Sequence, residues 1–139
     1  MTDVVCQIVQ GEIEAAVVSR DEQVVAFLDH RPVFKGHVLV SPVRHVDTLL
    51  DLPGELMVPL LGTAQRVAQA LGAALGAEGT FVAVNNVVSQ SVPHLHLHVI
   101  PRRPKDGLRF WLGPRHPYTD DDPPEGYARR IRSVLSSDL

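Results

Sequence analysis

The chain has 139 residues, of which 45% are hydrophobic, and this length and composition predict one domain with a well-filled apolar core rather than a disordered chain. Its formal net charge of −3 argues against a general nucleic-acid-binding protein, because such proteins normally carry an excess of basic residues. The single cysteine, Cys6, excludes an internal disulfide bond and is typical of a protein from a reducing compartment.

The sequence shows no signal for a membrane. No segment approaches the roughly 18 consecutive apolar residues that would indicate a spanning helix, and the first residues lack the basic flank of a signal peptide. We therefore expect a cytoplasmic protein that contacts neither membrane nor nucleic acid.

Short β-type runs open the chain. Residues 15–19 and 23–28 are separated by the polar turn 20–22, which is typical of a β-hairpin. After the proline and glycine of residues 29–36, the run HVLVSP at 37–42 predicts a further strand. Three strands are therefore expected before residue 45.

The apolar period changes after Asp51, which is expected to cap the start of a helix. Apolar residues then recur at steps of three and four, which predicts an amphipathic helix along Leu56, Leu60, Ala64, Val67, Leu71 and Leu75. Gly76 suits its end, whereas Pro59 removes a backbone donor and is expected to kink the helix.

Two more strands and a variable tail follow the helix. Residues 80–85 and 92–101 have strand character and are joined by the polar segment 86–91. Beyond Pro101, a segment rich in Pro, Gly and charge around Trp111 indicates an ordered loop or a flap. Residues 127–135 predict a short amphipathic helix with its apolar side chains inward, namely Ile131, Val134 and Leu135.

Three histidines alternate in the last predicted strand. Since a strand points alternate residues to one face, His94, His96 and His98 are expected to line one surface. Imidazole titrates near neutral pH, so one ring can act as a nucleophile while another stabilises an anion or donates a proton. Histidine rows can also chelate metals, but neutral hydrogen-bonding residues precede this row and no acidic residue is close. The pattern favours phosphate chemistry.

Several segments resemble the histidine triad (HIT) proteins. The resemblance covers about residues 6–102 and is carried by CQIVQGEI at 6–13, FLDHRPVFKGHVLVSPVRH at 27–45 and QSVPHLHLHVIPR at 90–102. It implies an α+β, HIT-like fold with a five-stranded antiparallel sheet and one long helix, here followed by the short C-terminal helix. It also implies a homodimer that joins two sheets into ten strands. We expect residues 1–139 to form a single HIT domain, with residues 103–139 as C-terminal loop or flap and short helix.

The resemblance further implies a mechanism. His96 matches the histidine that attacks the α-phosphorus of a nucleotide, forming a nucleotidyl-histidine intermediate that is then hydrolysed. His98 and His37 match histidines that contact the phosphate, and His94 matches one that orients the site. All four are therefore predicted catalytic residues, and no cofactor is required.

Five other positions match the nucleotide contacts of the family. Phe27 matches the apolar wall of the base pocket and Asp29 the carboxylate that binds the ribose hydroxyls. Asn85, Gln90 and Ser91 match positions that contact the phosphate or the leaving group. The predicted substrate is a purine nucleotide derivative, either a nucleoside phosphoramidate or a dinucleoside polyphosphate. A nucleotide-binding module with little turnover and a zinc-binding protein are the alternatives.

The chain departs from the family pattern at two places. Many bacterial members bind zinc through two cysteines and histidines that match His45 and His94, whereas the first cysteine position here is Asp3. Asp3, Cys6, His45 and His94 could supply four ligands, but zinc prefers thiolate and imidazole in structural sites, so no metal is expected. The segment from Asn85 to Gln90 is also shorter than the common family loop and lacks its glycines, which puts backbone contacts to phosphate in doubt.

Overall fold

The computed structural model describes residues 3–109 and 114–137, in two compact units, Met1–Leu108 and Arg109–Leu139. The first unit contains helices α1 (Val4–Val9) and α2 (Met57–Leu75) and strands β1 (Val17–Arg20), β2 (Val24–Leu28), β3 (Val38–Pro42), β4 (Gly79–Ala83) and β5 (Leu97–Arg102). Short 3-10 turns lie at Leu49–Asp51 and Gly54–Leu56. The second unit contains helix α3 (Pro124–Ser137). The prediction of a single domain stays a prediction.

The strands form one antiparallel sheet with the order β1-β2-β3-β5-β4. This confirms the predicted α+β fold with a five-stranded antiparallel sheet, one long helix and a short C-terminal helix. Strand β5 lies between β3 and β4, and its His98 is opposite Leu39 of β3. The histidine segment is therefore anchored in the interior of the sheet, while β1 and β4 are its edges.

The two faces of the sheet are covered by different helices. On one face, Leu60, Ala64 and Leu71 of α2 pack against a cluster that includes Val40 and Val99. On the other face, Val5 and Ile8 of α1 pack against Val25 and Phe27 of β2. Each buried aliphatic side chain of this kind contributes about 1.5–3 kcal/mol, so the pattern of alternate residues fixes the register of the strands.

Helix α2 starts later than the sequence pattern indicated. It begins at Met57, so Pro59 is in its first turn, where a backbone N–H has no partner within the helix. The expected kink is therefore wrong, and the helix runs unbroken to Leu75. Gly76 ends it in the left-handed conformation with φ of 70°, as predicted.

Strand β5 is also shorter than predicted. It begins at Leu97, and His94 and His96 precede it in an irregular segment. The backbone N–H of Leu95 donates to Val46 and that of His94 to Val92, so these residues do not continue the sheet ladder. The continuous strand that was expected through all three histidines is therefore wrong, and of the three only His98 lies within β5.

The tail differs from its prediction in one respect. Helix α3 is present, as predicted. Its residues Ile131, Val134 and Leu135 are 59%, 60% and 61% exposed, so the prediction that these side chains point inward is wrong. Trp111 lies outside the described residues. Among the described helices, none has the length and apolar character needed to cross a membrane.

Candidate active site

A cavity of about 920 Å³ lies on the α1 face of the sheet, and His96 and His98 are among its lining residues. Apolar side chains line much of it, including Val5, Ile8 and Phe27. Its polar lining residues are Glu14, Asp29, His30, Ser91, His96 and His98. A mostly apolar cavity with a few convergent polar groups is the usual form of a small-molecule site.

The backbone fixes the proton position on His96. Its Nδ1 atom lies 2.7 Å from the carbonyl oxygen of His94. Because a carbonyl can only accept, Nδ1 must carry the proton, and the Nε2 atom keeps its lone pair. His96 is 8% exposed and lines the cavity, so its ring is held in the tautomer that a nucleophile requires.

A second chain of hydrogen bonds fixes the protons on His37 and His98. The N–H of Val33 donates to Nδ1 of His37 at 3.1 Å, so the His37 proton is on Nε2. That Nε2 lies 3.0 Å from Nδ1 of His98 and donates to it. His98 therefore carries its proton on Nε2 and can donate it to a bound anion. His37 is 2% exposed and contacts His98 rather than the cavity.

Burial keeps both of these rings neutral. Desolvation, with a smaller contribution from the neighbouring histidines, lowers the pKa of His98 to about 4. Desolvation also lowers the pKa of His37, although the Asp29 carboxylate, 3.8 Å from its Nε2, opposes that shift. At neutral pH the site therefore presents a neutral N–H donor on His98, supported by a neutral His37.

His94 does not line this cavity. Its side chain is fully buried at 0% exposure and contacts Asp3, Cys6 and the carbonyl of Pro42. The expectation that three histidines share one surface is wrong for His94, because contacts with Asp3, Cys6 and the Pro42 carbonyl hold its ring in a separate buried cluster. Its backbone carbonyl nevertheless reaches the site, since it accepts the hydrogen bond from His96.

The nucleoside-binding residues predicted on β2 and after it lie in the cavity. Phe27 is 3% exposed and forms part of the apolar wall. Asp29 accepts a hydrogen bond from the N–H of Arg31 through Oδ1, while its Oδ2 remains directed toward the histidine cluster. One carboxylate oxygen of Asp29 is thus committed to the turn and the other is available to a ligand.

The three polar residues predicted near the phosphate have different placements. Ser91 lines the cavity. The side chain of Gln90 instead donates to the carbonyl of Asp47 at 2.6 Å and accepts from the N–H of Val87 at 3.1 Å. Asn85 donates to the carbonyl of Ser89 at 3.2 Å. Gln90 and Asn85 are therefore engaged in holding the loop, and their predicted phosphate contacts stay predictions.

Two non-glycine residues of the shortened loop adopt the left-handed backbone conformation that glycine favours. Val87 has φ of 69° and Ser89 has φ of 64°, both in the left-handed region. For a β-branched residue this conformation is a true outlier. The hydrogen bonds of Gln90 and Asn85, together with that from the N–H of Leu49 to Asn86 Oδ1 at 2.9 Å, hold this strained turn in place.

A second cluster lies around His94. One ligand atom from each of Asp3, Cys6, His45 and His94 lies within 4.8 Å of the others. The Nε2 of His94 donates to the Pro42 carbonyl at 2.8 Å, and the Nε2 of His45 donates to Asp47 at 2.6 Å. The Nδ1 atoms of His94 and His45 lie 3.2 and 2.8 Å from Asp3 Oδ2, within hydrogen-bonding distance of the carboxylate. This is the donor set and outer hydrogen bonding of a metal-binding histidine pair.

Hydrogen bonding also sets the charge within this second cluster. Burial opposes ionisation of Asp3, but hydrogen bonds from the backbone and thiol of Cys6 and interaction with His94 bring the pKa of the carboxyl below its usual value. Burial and the neighbouring Asp3 raise the pKa of the Cys6 thiol. The cluster thus holds the Asp3 carboxylate beside the Cys6 thiol and the Nδ1 atoms of two histidines.

Sequence reasoning missed helix α1 and the cavity residues it supplies. Val5 and Ile8 are three positions apart and buried on one face, and Asp3 caps the helix by accepting from the N–H of Cys6. This apolar spacing after a capping aspartate was a helix signal, although the helix has only six residues. Glu14 and His30 were also not identified as cavity residues.

A family search matches the HIT domain to residues 10–105. Among curated proteins, the adenosine 5′-monophosphoramidase of Schizosaccharomyces pombe is 31% identical over 125 residues, which cover 88% of this chain and 90% of the relative.

Solved structures share the fold. A HIT family protein from Bacillus subtilis is 33% identical, covers 100% of this chain and 98% of its own, and superposes with a TM-score of 0.84. A zinc-bound histidine triad family protein from Mycobacterium smegmatis is 36% identical, covers 99% of this chain and 95% of its own, and has a TM-score of 0.75.

Proposed function

The chain belongs to the HIT domain family, and on that premise we propose that it is a nucleotide hydrolase or nucleotidyl transferase that acts at the α-phosphate of a purine nucleotide derivative. Nucleoside phosphoramidates are the first substrates to test, since a phosphoramidase is among its relatives. The observation that carries the proposal is the tautomer of His96, whose Nδ1 donates to the His94 carbonyl and leaves Nε2 as a free nucleophile in the cavity.

The reaction proceeds in two displacements. Nε2 of His96 attacks the α-phosphorus, a P–N bond forms, and the leaving group departs with the electron pair of its bond and takes up a proton from solvent. Water then attacks the same phosphorus and gives up a proton to solvent, the bond from phosphorus to His96 breaks with its electron pair returning to Nε2, and the nucleoside monophosphate is released. The Nε2–H of His98, supported by His37, donates to a non-bridging oxygen as charge develops there.

The remaining contacts position the substrate. Phe27 and the apolar residues of α1 pack against the base, and Asp29 accepts hydrogen bonds from the ribose hydroxyls through its available oxygen. Ser91 supplies a hydroxyl beside the histidines. Together these groups hold the phosphorus near His96, which is how an enzyme turns binding into a faster displacement.

The proposal is tested by trapping the intermediate. Wild-type protein is mixed with adenosine 5′-phosphoramidate, quenched in alkali and digested, and the peptides are measured by mass spectrometry. We expect a nucleotidyl adduct on the peptide that carries His96 and none in His96→Ala, which should keep its fold and lose turnover. His116→Ala, an exposed histidine of the second unit, is the control. Turnover that survives in His96→Ala would contradict the mechanism, and tight AMP binding without turnover would identify a binding module.

We also infer that the second cluster binds zinc as a structural ion, through Asp3, Cys6, His45 and His94. Zinc binds carboxylate, thiolate and imidazole ligands at about 2.0–2.3 Å, and this set supplies one carboxylate, one thiol and two imidazoles. The expected result is near-stoichiometric zinc by elemental analysis and a lower Tm after chelation. Cys6→Ser should lose the metal, whereas wild-type protein purified without zinc and with an unchanged Tm would refute the inference.

We further propose that the chain forms a homodimer through β4 and the adjacent face of α2. Strand β4 is the last strand of the sheet in the described part of the chain, and Met57, Val58, Leu61 and Val82 form an apolar groove beside it, with exposures of 44%, 80%, 63% and 44%. Light scattering should give a dimer for wild type and a monomer for Val58→Lys. Leu50→Lys, at a residue 77% exposed outside the groove, should stay dimeric. A dimeric Val58→Lys would place the interface elsewhere.

A further inference from the structure

The cavity wall carries a carboxylate that the proposed mechanism does not use. Among the described residues that line the cavity, the histidines, Ser91 and Asp29 already have proposed roles at the phosphate and the ribose. Of the other lining residues, only Glu14 and His30 are ionisable, and the rest are apolar. The part of the cavity that remains for a base therefore contains one acidic group, Glu14.

The backbone brings Glu14 into the cavity that Phe27 lines. The segment before β1 runs antiparallel to the end of β2, since the N–H of Leu28 donates to the carbonyl of Ala16 at 2.9 Å. Val17 pairs with Phe27 in the same register, so residues 13–16 continue past Phe27 toward Asp29. Ile13, Glu14 and Ala15 accordingly line the same cavity as Phe27.

The Glu14 carboxylate is free to accept from a ligand. It is solvent-exposed at the cavity and makes no hydrogen bond or ion pair with any residue that the structure describes. An ionised carboxylate has two acceptor oxygens and no donor, so it can only be matched by N–H or O–H groups. A base that meets Glu14 must therefore present donors on the edge that faces it.

We propose that Glu14 makes the site selective for guanine over adenine, an inference that rests on the proposed nucleotide chemistry. The N1–H and the exocyclic amino group of guanine are adjacent donors, and they match the two oxygens of one carboxylate. Adenine presents the unprotonated N1 at the same place, where its lone pair repels the carboxylate, and offers only its amino group. Hypoxanthine keeps N1–H but lacks the amino group of guanine.

The test compares three bases at constant leaving group. The ratio kcat/KM is measured for guanosine, inosine and adenosine 5′-phosphoramidates with wild type, Glu14→Ala and Glu14→Gln. Charge-assisted hydrogen bonds predict a preference for guanosine over adenosine of about tenfold, with inosine between them. Glu14→Ala should reduce that preference to less than about twofold. Glu12→Gln, which changes a nearby exposed carboxylate outside the cavity lining, should leave the preference intact.

A binding measurement separates this inference from the proposed function. The dissociation constants of GMP and AMP are measured by calorimetry with the same variants. Tighter binding of GMP that depends on Glu14, without turnover of any phosphoramidate, would support the base selectivity and refute the catalytic proposal. Turnover with equal use of guanosine and adenosine, or a guanosine preference that persists in Glu14→Ala, would overturn the role of Glu14 and leave the catalytic proposal standing.

Discussion

Replacement of Val87 by glycine should stabilise the protein, although it removes a side chain from the loop before the histidines. Val87 has φ of 69° and is 69% exposed, so the substitution relieves backbone strain and costs little apolar burial. Relief of the left-handed conformation is worth about 1–2 kcal/mol. The greater freedom of glycine in the unfolded chain opposes this by about 0.4–1 kcal/mol. The expected net gain is about 1 kcal/mol.

The assay is urea unfolding at neutral pH, followed by circular dichroism, with thermal unfolding in parallel. A gain of about 1 kcal/mol should raise the Tm by roughly 3–5 °C for a domain of this size. Val88→Gly is the matched control, because Val88 is 79% exposed but is not among the residues with positive φ. It should lose about 0.5–1 kcal/mol. If Val87→Gly is destabilised as much as Val88→Gly, the loop is not strained at that residue.

Three further predictions concern His98, Gly36 and Asp29. The pKa of His98 is about 4 in the folded protein, against about 6.5 when unfolded, so the unfolded chain binds more protons between these values and stability should fall as the pH is lowered through this window. His98→Gln should therefore show a shallower fall in urea midpoint from pH 6.5 to 4, and an identical fall would contradict the shift. Gly36→Ala should lose about 1–3 kcal/mol, because Gly36 has φ of 100° and an added Cβ would lie 2.6 Å from Leu75 Cδ1; an unchanged Tm would argue against this close approach. Asp29→Asn should raise KM for a ribonucleotide by about tenfold and leave KM for the 2′,3′-dideoxy analogue almost unchanged, whereas equal effects on both would exclude the ribose contact.

The alternation of apolar residues in the strands, and their recurrence at steps of three and four in the long helix, were sufficient to predict most of the fold. Strands β1 to β4 were found close to their true bounds, because buried alternate residues such as Val38 and Val40 leave a clear pattern, whereas β5 begins later than predicted, at Leu97. The start of α2 was misjudged because the apolar period extends into the 3-10 turn Gly54–Leu56, where Leu56 is buried like a helical residue. Local periodicity does not distinguish these two backbone forms.

The candidate site was harder to predict, because its geometry depends on contacts between distant parts of the chain. The proton on His96 is set by the carbonyl two residues earlier, but the proton on His98 depends on Val33 and His37, about sixty residues away. The orientation of His94 away from the cavity depends on Asp3, at a separation of 91 residues. No periodic pattern carries information on such pairs.

His94 belongs to both clusters at once, its ring to one and its carbonyl oxygen to the other. A single peptide unit thus connects the amino-terminal residues Asp3 and Cys6 to the proton on the proposed nucleophile. A substitution at Cys6 that displaces the His94 ring is therefore expected to weaken the hydrogen bond from His96 Nδ1 to the His94 carbonyl. The turnover rate is consequently expected to depend on the contacts of Asp3 and Cys6, and rates should be measured on protein purified under reducing conditions.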